Sequence, residues 1–284
     1  MLLFLAENEA GKTLLGRAPL LGLAPETREG TRSVGPFTAV WFAIFMIPFF
    51  LWVNEKPPES ADRLYLRDSL RSLARTLRAL PSNTSLSAYL ASSMFYRDAL
   101  GGIYTFGGIY AVGVLGWSVV QVGIFGIIAA ITGAIFAWIG GFADRAFGPK
   151  PVLVVCIVVL TLVAAVVVTI SRTSVLGIPV NEASGLPDLV FTVCGAFIGA
   201  AGGALGAASR TMMVHQANPA RMTEAFGLYA LAGKATSFLA PFSIALVTGM
   251  TGSQSAGVVP LIFLFLLGLF LLLFVKTDRG VSSP

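Results

Sequence analysis

Charge is scarce in this sequence. Lysine, arginine, aspartate and glutamate make up 12% of the 284 residues, against 56% hydrophobic. An ordinary soluble domain carries about a quarter charged residues. Mean hydropathy is +0.83, so a water-soluble fold would lack the polar surface it needs. The composition implies an integral membrane protein. The apolar stretches are continuous and do not alternate at period two, which favours α-helices over a membrane barrel. Cysteine is nearly missing. Cys156 and Cys194 each lie inside an apolar run, which gives no disulfide framework and no paired-cysteine metal site; both read as small packing residues. Histidine occurs once, at His215, in a stretch that reads as a solvated loop. No nucleophile–base arrangement, zinc spacing, phosphate loop or paired-carboxylate site is present. The sequence therefore supports no enzyme, no metal site and no cofactor. The net charge of +5 is read as topology, with no nucleic-acid partner expected.

What is present is a series of seven long apolar runs, at about 37–53, 87–113, 119–139, 151–170, 189–208, 226–248 and 257–275. A bilayer core needs about 20 helical residues, and all seven are near that length. Basic residues set the orientation. Lys56, Arg63, Arg67, Arg71, Arg75 and Arg78 follow the first run, Arg145 and Lys150 the third, Arg210 and Arg221 the fifth, and Lys276 and Arg279 the last. The opposite side carries only Lys12, Arg17, Arg28, Arg32 and Arg172. The positive-inside rule then predicts an outside N-terminus and a cytoplasmic C-terminus.

The resulting organisation is a polar N-terminal segment over 1–35, a first span over 36–53, a cytoplasmic linker over 54–86, a transmembrane bundle over 87–278 and a short tail over 279–284. Within the linker, Leu66, Leu70, Leu73, Leu77 and Leu80 alternate with the arginines at helical spacing, and Pro81 stops the pattern. This is a basic amphipathic helix suited to a membrane face, or else a solvated linker helix.

Charges within the runs are the sharpest signal. Asp98 lies about 15 Å into the second run and Lys234 about 12 Å into the sixth, at the helical rise per residue. An unpaired charge there costs at least about 2.5–3.5 kcal/mol. The low-cost arrangements are a shared wet cavity, a position facing the bundle interior, or a direct ion pair. Arg97 either joins that pathway or extends to the headgroups. Gly195, Gly199, Gly202 and Gly206 share one face of the fifth run and predict close helix packing. Pro241 deprives the Ser237 carbonyl of its helical partner, which makes a hinge or a ligand acceptor, or only a kink.

Three stretches carry a resemblance. Gly140-Gly141 … Asp144-Arg145 … Gly148 … Lys150 resembles the loop between adjacent helices of the major facilitator superfamily. Met94-Phe95-Tyr96-Arg97-Asp98 is similar to the start of the seventh helix in one branch. Ser209-Arg210 and residues 224–241 are similar to its tenth-to-eleventh helix region. That branch holds the UMF-type (unknown major facilitator) bacterial transporters and resembles the fungal vacuolar amino-acid effluxers.

The resemblance implies an all-α fold, with the C-terminal six-helix bundle of a major facilitator plus one preceding helix. It further implies a secondary transporter of a small solute in a bacterial inner membrane, with amino-acid efflux the suggested activity. Asp98, Lys234, Arg97, Tyr96 and Ser237 would line the pathway. Gly140, Asp144, Arg145, Gly148 and Lys150 would form a conformational loop. Only the second half of such a transporter is matched, so the expected partners besides solute and lipid are an N-terminal half or a second copy. A non-transporting fragment or assembly partner is the alternative.

Overall fold

The structure is a computed structural model that describes Gly22, residues 29–53 and residues 83–276. It divides into two units, residues 1–68 and 69–284. The amphipathic pattern over 60–80, most of the N-terminal segment and the tail lie outside the described residues. Among the described residues, seven helical segments are long and apolar enough to cross a membrane, and the protein is an all-α, multi-pass membrane protein.

The first unit contributes α1, Glu29–Trp52. Its apolar residues, including Trp41, Phe45 and Phe50, are exposed along the helix. That surface suits lipid, which asks for apolar side chains and internally bonded backbone.

The second unit holds α2 (Thr84–Leu115), α3 (Val119–Phe147), α4 (Pro149–Val168) and α5 (Leu186–Gln216), followed by α6 (Met222–Ala235), α7 (Leu239–Thr251) and α8 (Val259–Leu273). Local chemistry sets the ends. The Asn83 side chain accepts from the Leu86 N–H at the start of α2, and Gly116 closes that helix at φ 68°. Ser118 and Gln121 form a reciprocal capping box at the start of α3. Gly148, at φ 85°, turns α3 directly into α4, where Pro149 occupies the first turn. A short hairpin follows, β1 (Ser174–Val175) against β2 (Ile178–Pro179), with Leu176 and Gly177 both at positive φ.

The sixth apolar run does not form one helix. It divides into α6 and α7, with Thr236, Ser237 and Phe238 as a turn between them. Pro241 then falls within the first turn of α7, where a missing N–H costs little. The proline signal thus marks a break rather than a mild bend.

α5 packs against both α3 and α4. Its glycine face explains the close approach to α3. A Cβ at Gly199 would fall on the Ala129 carbonyl, and one at Gly195 on the Phe125 ring. A Cβ at Gly202 would strike the Tyr104 hydroxyl, whereas one at Gly206 would meet nothing within 4 Å. Three of the four expected packing glycines are therefore required by a neighbour.

Polar ties fasten both ends of the unit. At one, Trp117 Nε1 (2.6 Å) and Arg172 Nη1 (2.8 Å) donate to Asp188 Oδ1 in the first turn of α5. At the other, Ser85 Oγ donates to Gln216 Oε1, Gln216 Nε2 to the Lys276 carbonyl, and the Lys276 N–H to Ser85 Oγ.

We expect Gly199→Ala to lower thermal stability in detergent by about 1–3 kcal/mol, the usual cost of overpacking, and Gly206→Ala to leave it within about 0.5 kcal/mol. Equal melting of the two variants would show that the glycine face is not a packing constraint.

Candidate functional site

α2 is the element on which the polar groups converge. Its buried residues include Tyr89, Ser92, Tyr96, Asp98 and Gly102. Gly102 has to be glycine-sized, since a Cβ there would meet the Ala240 Cβ at 2.7 Å and Leu261 Cδ2 at 2.8 Å. This close approach brings the α6–α7 break against the middle of α2.

The break frees backbone donors at the start of α7, and each has an identified destination. The Leu239 N–H bonds the Thr236 carbonyl at 2.8 Å, and the Phe242 N–H bonds the Phe238 carbonyl at 3.0 Å. Pro241 has none to place. The Ala240 N–H donates to Asp98 Oδ2 at 2.8 Å. Asp98, 6% exposed, therefore serves as the cap of α7, supplied from another helix. A carboxylate there also complements the positive end of the helix dipole. Thr236 adds a second link, its hydroxyl donating to the Met94 carbonyl at 3.2 Å. Ser237 Oγ donates back to the Lys234 carbonyl at 2.9 Å.

Asp98 and Lys234 do not form an ion pair. Among the described residues, the pairs are Arg172–Asp188 and Arg221–Glu224. Lys234 is exposed and lies outside the lining of the cavity that contains Asp98. The reason is geometric: Asp98 faces the start of α7, whereas Lys234 precedes the break.

Arg97 does not extend away to the membrane surface. Its guanidinium carbon lies 4.0 Å from the Tyr229 ring centroid, and Nη1 donates to the Tyr229 carbonyl at 2.9 Å. Gly233 makes room for it, since a Cβ there would lie 2.6 Å from Arg97 Cζ. Arg97 and Asp98 leave α2 about 100° apart and take different partners. Both nevertheless line one cavity of about 540 Å³. Ser237, Pro241 and Phe106 share that lining.

Tyr96 lies elsewhere. It is fully buried, and its hydroxyl is 2.6 Å from Ser209 Oγ. The Tyr229 hydroxyl is also 2.6 Å from that oxygen, and the Tyr89 hydroxyl is 3.1 Å away. Tyr89 additionally donates to the Ser209 carbonyl. One serine on α5 thus joins two tyrosines of α2 and one of α6. Sequence reasoning did not assign Ser209 or Tyr229 a role. The signal available was a set of tyrosines in apolar runs, whose hydroxyls need partners when buried.

The expected conformational loop joins α3 to α4. The Gly148 N–H bonds the Asp144 carbonyl at 2.9 Å, and Lys150 Nζ reaches the Leu273 and Val275 carbonyls at the end of α8. The Asp144 carboxylate does not take backbone N–H groups of α4. Both its oxygens are buried against Thr211 and His215 of α5. Arg145 is exposed.

The cap makes a test available. Asn at position 98 keeps an oxygen for the Ala240 N–H, whereas Leu leaves that donor buried and unpaired, at about 1–3 kcal/mol. Thermal unfolding in detergent should rank Asp98→Leu well below Asp98→Asn. The opposite order would remove the capping role.

Comparison with known proteins agrees with this architecture. A family model described as "Vacuole effluxer Atg22 like" matches residues 24–283. The "Uncharacterized MFS-type transporter YxiO" of Bacillus subtilis is 26% identical over 249 residues, which is 87% of this chain and 54% of that protein. Autophagy-related protein 22 of Coccidioides immitis is 24% identical over 259 residues, covering 85% of this chain and 42% of that protein. Autophagy-related protein 22-1 of Aspergillus fumigatus is 24% identical over 274 residues, covering 90% and 44%. The chain spans about half the length of the curated relatives it matches. With a family match that runs through all of its described helices, the chain belongs to the Vacuole effluxer Atg22-like family of MFS-type transporters.

Proposed function

We propose that this chain supplies the C-terminal bundle of a secondary transporter that moves a small solute by alternating access, with an amino acid as the solute class and export as the direction. The observation that carries the reading is the broken span. A discontinuous helix at membrane depth, capped by a carboxylate from its neighbour and opening on a cavity, is the kind of element around which transporters build midplane sites. Asp98 is the ion-sensitive group: its charge holds the start of α7 against α2, so neutralising it weakens that tie. Arg97, already oriented over Tyr229, presents its remaining donors to an anionic group of the solute. Lys234, exposed beside the break, is a second anchor for an anionic group or a contact for a further helical bundle. That bundle, an N-terminal half or a second copy, docks on the exposed faces of α3 and α6 and closes the other side of the cavity. The N-terminus lies outside and the C-terminus in the cytoplasm.

The test is uptake and efflux of radiolabelled amino acids by vesicles holding the complete membrane assembly, with and without an imposed proton gradient. Asp98→Asn is expected to abolish gradient-driven transport while leaving insertion and melting near wild type. Lys234→Ala should lower transport while leaving its dependence on the gradient intact, since no direct pair couples Lys234 to Asp98. Gradient-driven transport unchanged in Asp98→Asn would take Asp98 out of the mechanism. A wild-type assembly that moves no solute would favour a structural partner.

A further inference from the structure

An arginine side chain is long and flexible, so its head works as an anchor only where neighbours hold it in place. The hydrogen bond and the ring contact of Arg97 both go to one residue. Tyr229 takes Nη1 on its carbonyl at 2.9 Å, and its ring centroid lies 4.0 Å from the guanidinium carbon. The guanidinium therefore goes where Tyr229 goes.

Tyr229 in turn sits on a helix that packing holds weakly. α6 has 14 residues, of which Ala225 and Leu228 are buried. What reaches from the Tyr229 side chain into the bundle is its hydroxyl, 2.6 Å from Ser209 Oγ on α5. Ser209 is a firm post. It is 1% exposed, and Tyr89 and Tyr96 of α2, both fully buried, hold it through their hydroxyls at 3.1 Å and 2.6 Å. The Tyr89 ring also lies parallel to that of Tyr229, with centroids 6.3 Å apart. A continuous set of contacts thus runs from the core of α2 and α5, through one serine and one tyrosine, to the head of Arg97. Ser209 and Tyr229 themselves lie outside the lining of the cavity.

We infer that Ser209 is a positioning residue for the cavity's anion contact: through the Tyr229 hydroxyl it sets where the Arg97 guanidinium stands. A solute carboxylate then meets a guanidinium already in place and does not have to order it, which raises affinity at no cost in new contacts. The inference rests on Arg97 as the contact for an anionic group of the solute, and it adds the residue that fixes that contact from outside the cavity.

The experiment uses the full chain in its membrane. Phenylglyoxal modifies arginines, and mass spectrometry of chymotryptic peptides gives the rate at Arg97, with Arg172 as the internal reference. Propionate is the carboxylate probe, and the concentration that halves the Arg97 rate reports its binding. Ser209→Ala and Tyr229→Phe remove the same bond from its two sides, and the second keeps the ring under the guanidinium. Each should speed Arg97 modification and raise the half-protecting propionate concentration about tenfold, the worth of about one hydrogen bond. The double substitution should do no more than either single one. Ser92→Ala is the control: it deletes another buried serine hydroxyl of α2, bonded to the Gly268 carbonyl at 2.6 Å, and should leave Arg97 unchanged. Unchanged Arg97 values in both single variants, additive changes in the double one, or equal changes in Ser92→Ala or at Arg172 would overturn the positioning role. Absence of propionate protection in the wild-type chain would instead overturn Arg97 as an anion contact, and the modification rates would still decide whether Ser209 places it.

Discussion

Everything in the second unit answers to one constraint: hydrocarbon offers no hydrogen bonds, so each backbone group freed from a helix needs a partner within the protein. The turn at 236–238 breaks that rule locally, and the structure repairs it with a side chain from a different helix. The bond from the Ala240 N–H to Asp98 is thus a condition for the break rather than an ornament of it. It also explains why a carboxylate sits where a charge is costly. The charge is stabilised by a donor and by the start of a helix, and it is placed beside a cavity large enough for water or a small solute.

The same economy governs the packing. Small residues let α2, α3, α5 and α7 come close, and closeness decides which polar groups can meet. Gly102 lets α7 reach Asp98, and Gly233 lets Arg97 lie over Tyr229. At Gly233 a missing side chain on α6 seats an arginine of α2, and at Gly102 one lets α7 approach the carboxylate carried by the same helix. Dispersion and short polar ties replace the hydrophobic drive that is weak between helices in lipid.

Much of this was legible from residue order alone. The seven apolar runs, the glycine face of α5 and the disturbance at Pro241 follow from length, spacing and the chemistry of proline, and these are local properties. The partners of the charges were not legible. Asp98 and Lys234 lie at similar depth, and depth was the only coordinate the sequence supplied; rotation about the helix axes and the break itself send them apart. Ser209 went unassigned for a related reason, because its importance lies in three phenols from two other helices. Asp144 was legible only as part of a loop, and Gly148 and Pro149 make the turn into α4 without its carboxylate.

Ser209 has a consequence in proton order. A hydroxyl oxygen offers one hydrogen and two lone pairs, and three phenols claim it. Tyr89 spends its hydrogen on the Ser209 carbonyl, so the serine must give its own to Tyr89 and accept from Tyr96 and Tyr229. The ring is then saturated and has a single sense. Tyr229, which carries Arg97 on its face, has its hydroxyl orientation dictated from a point outside the cavity.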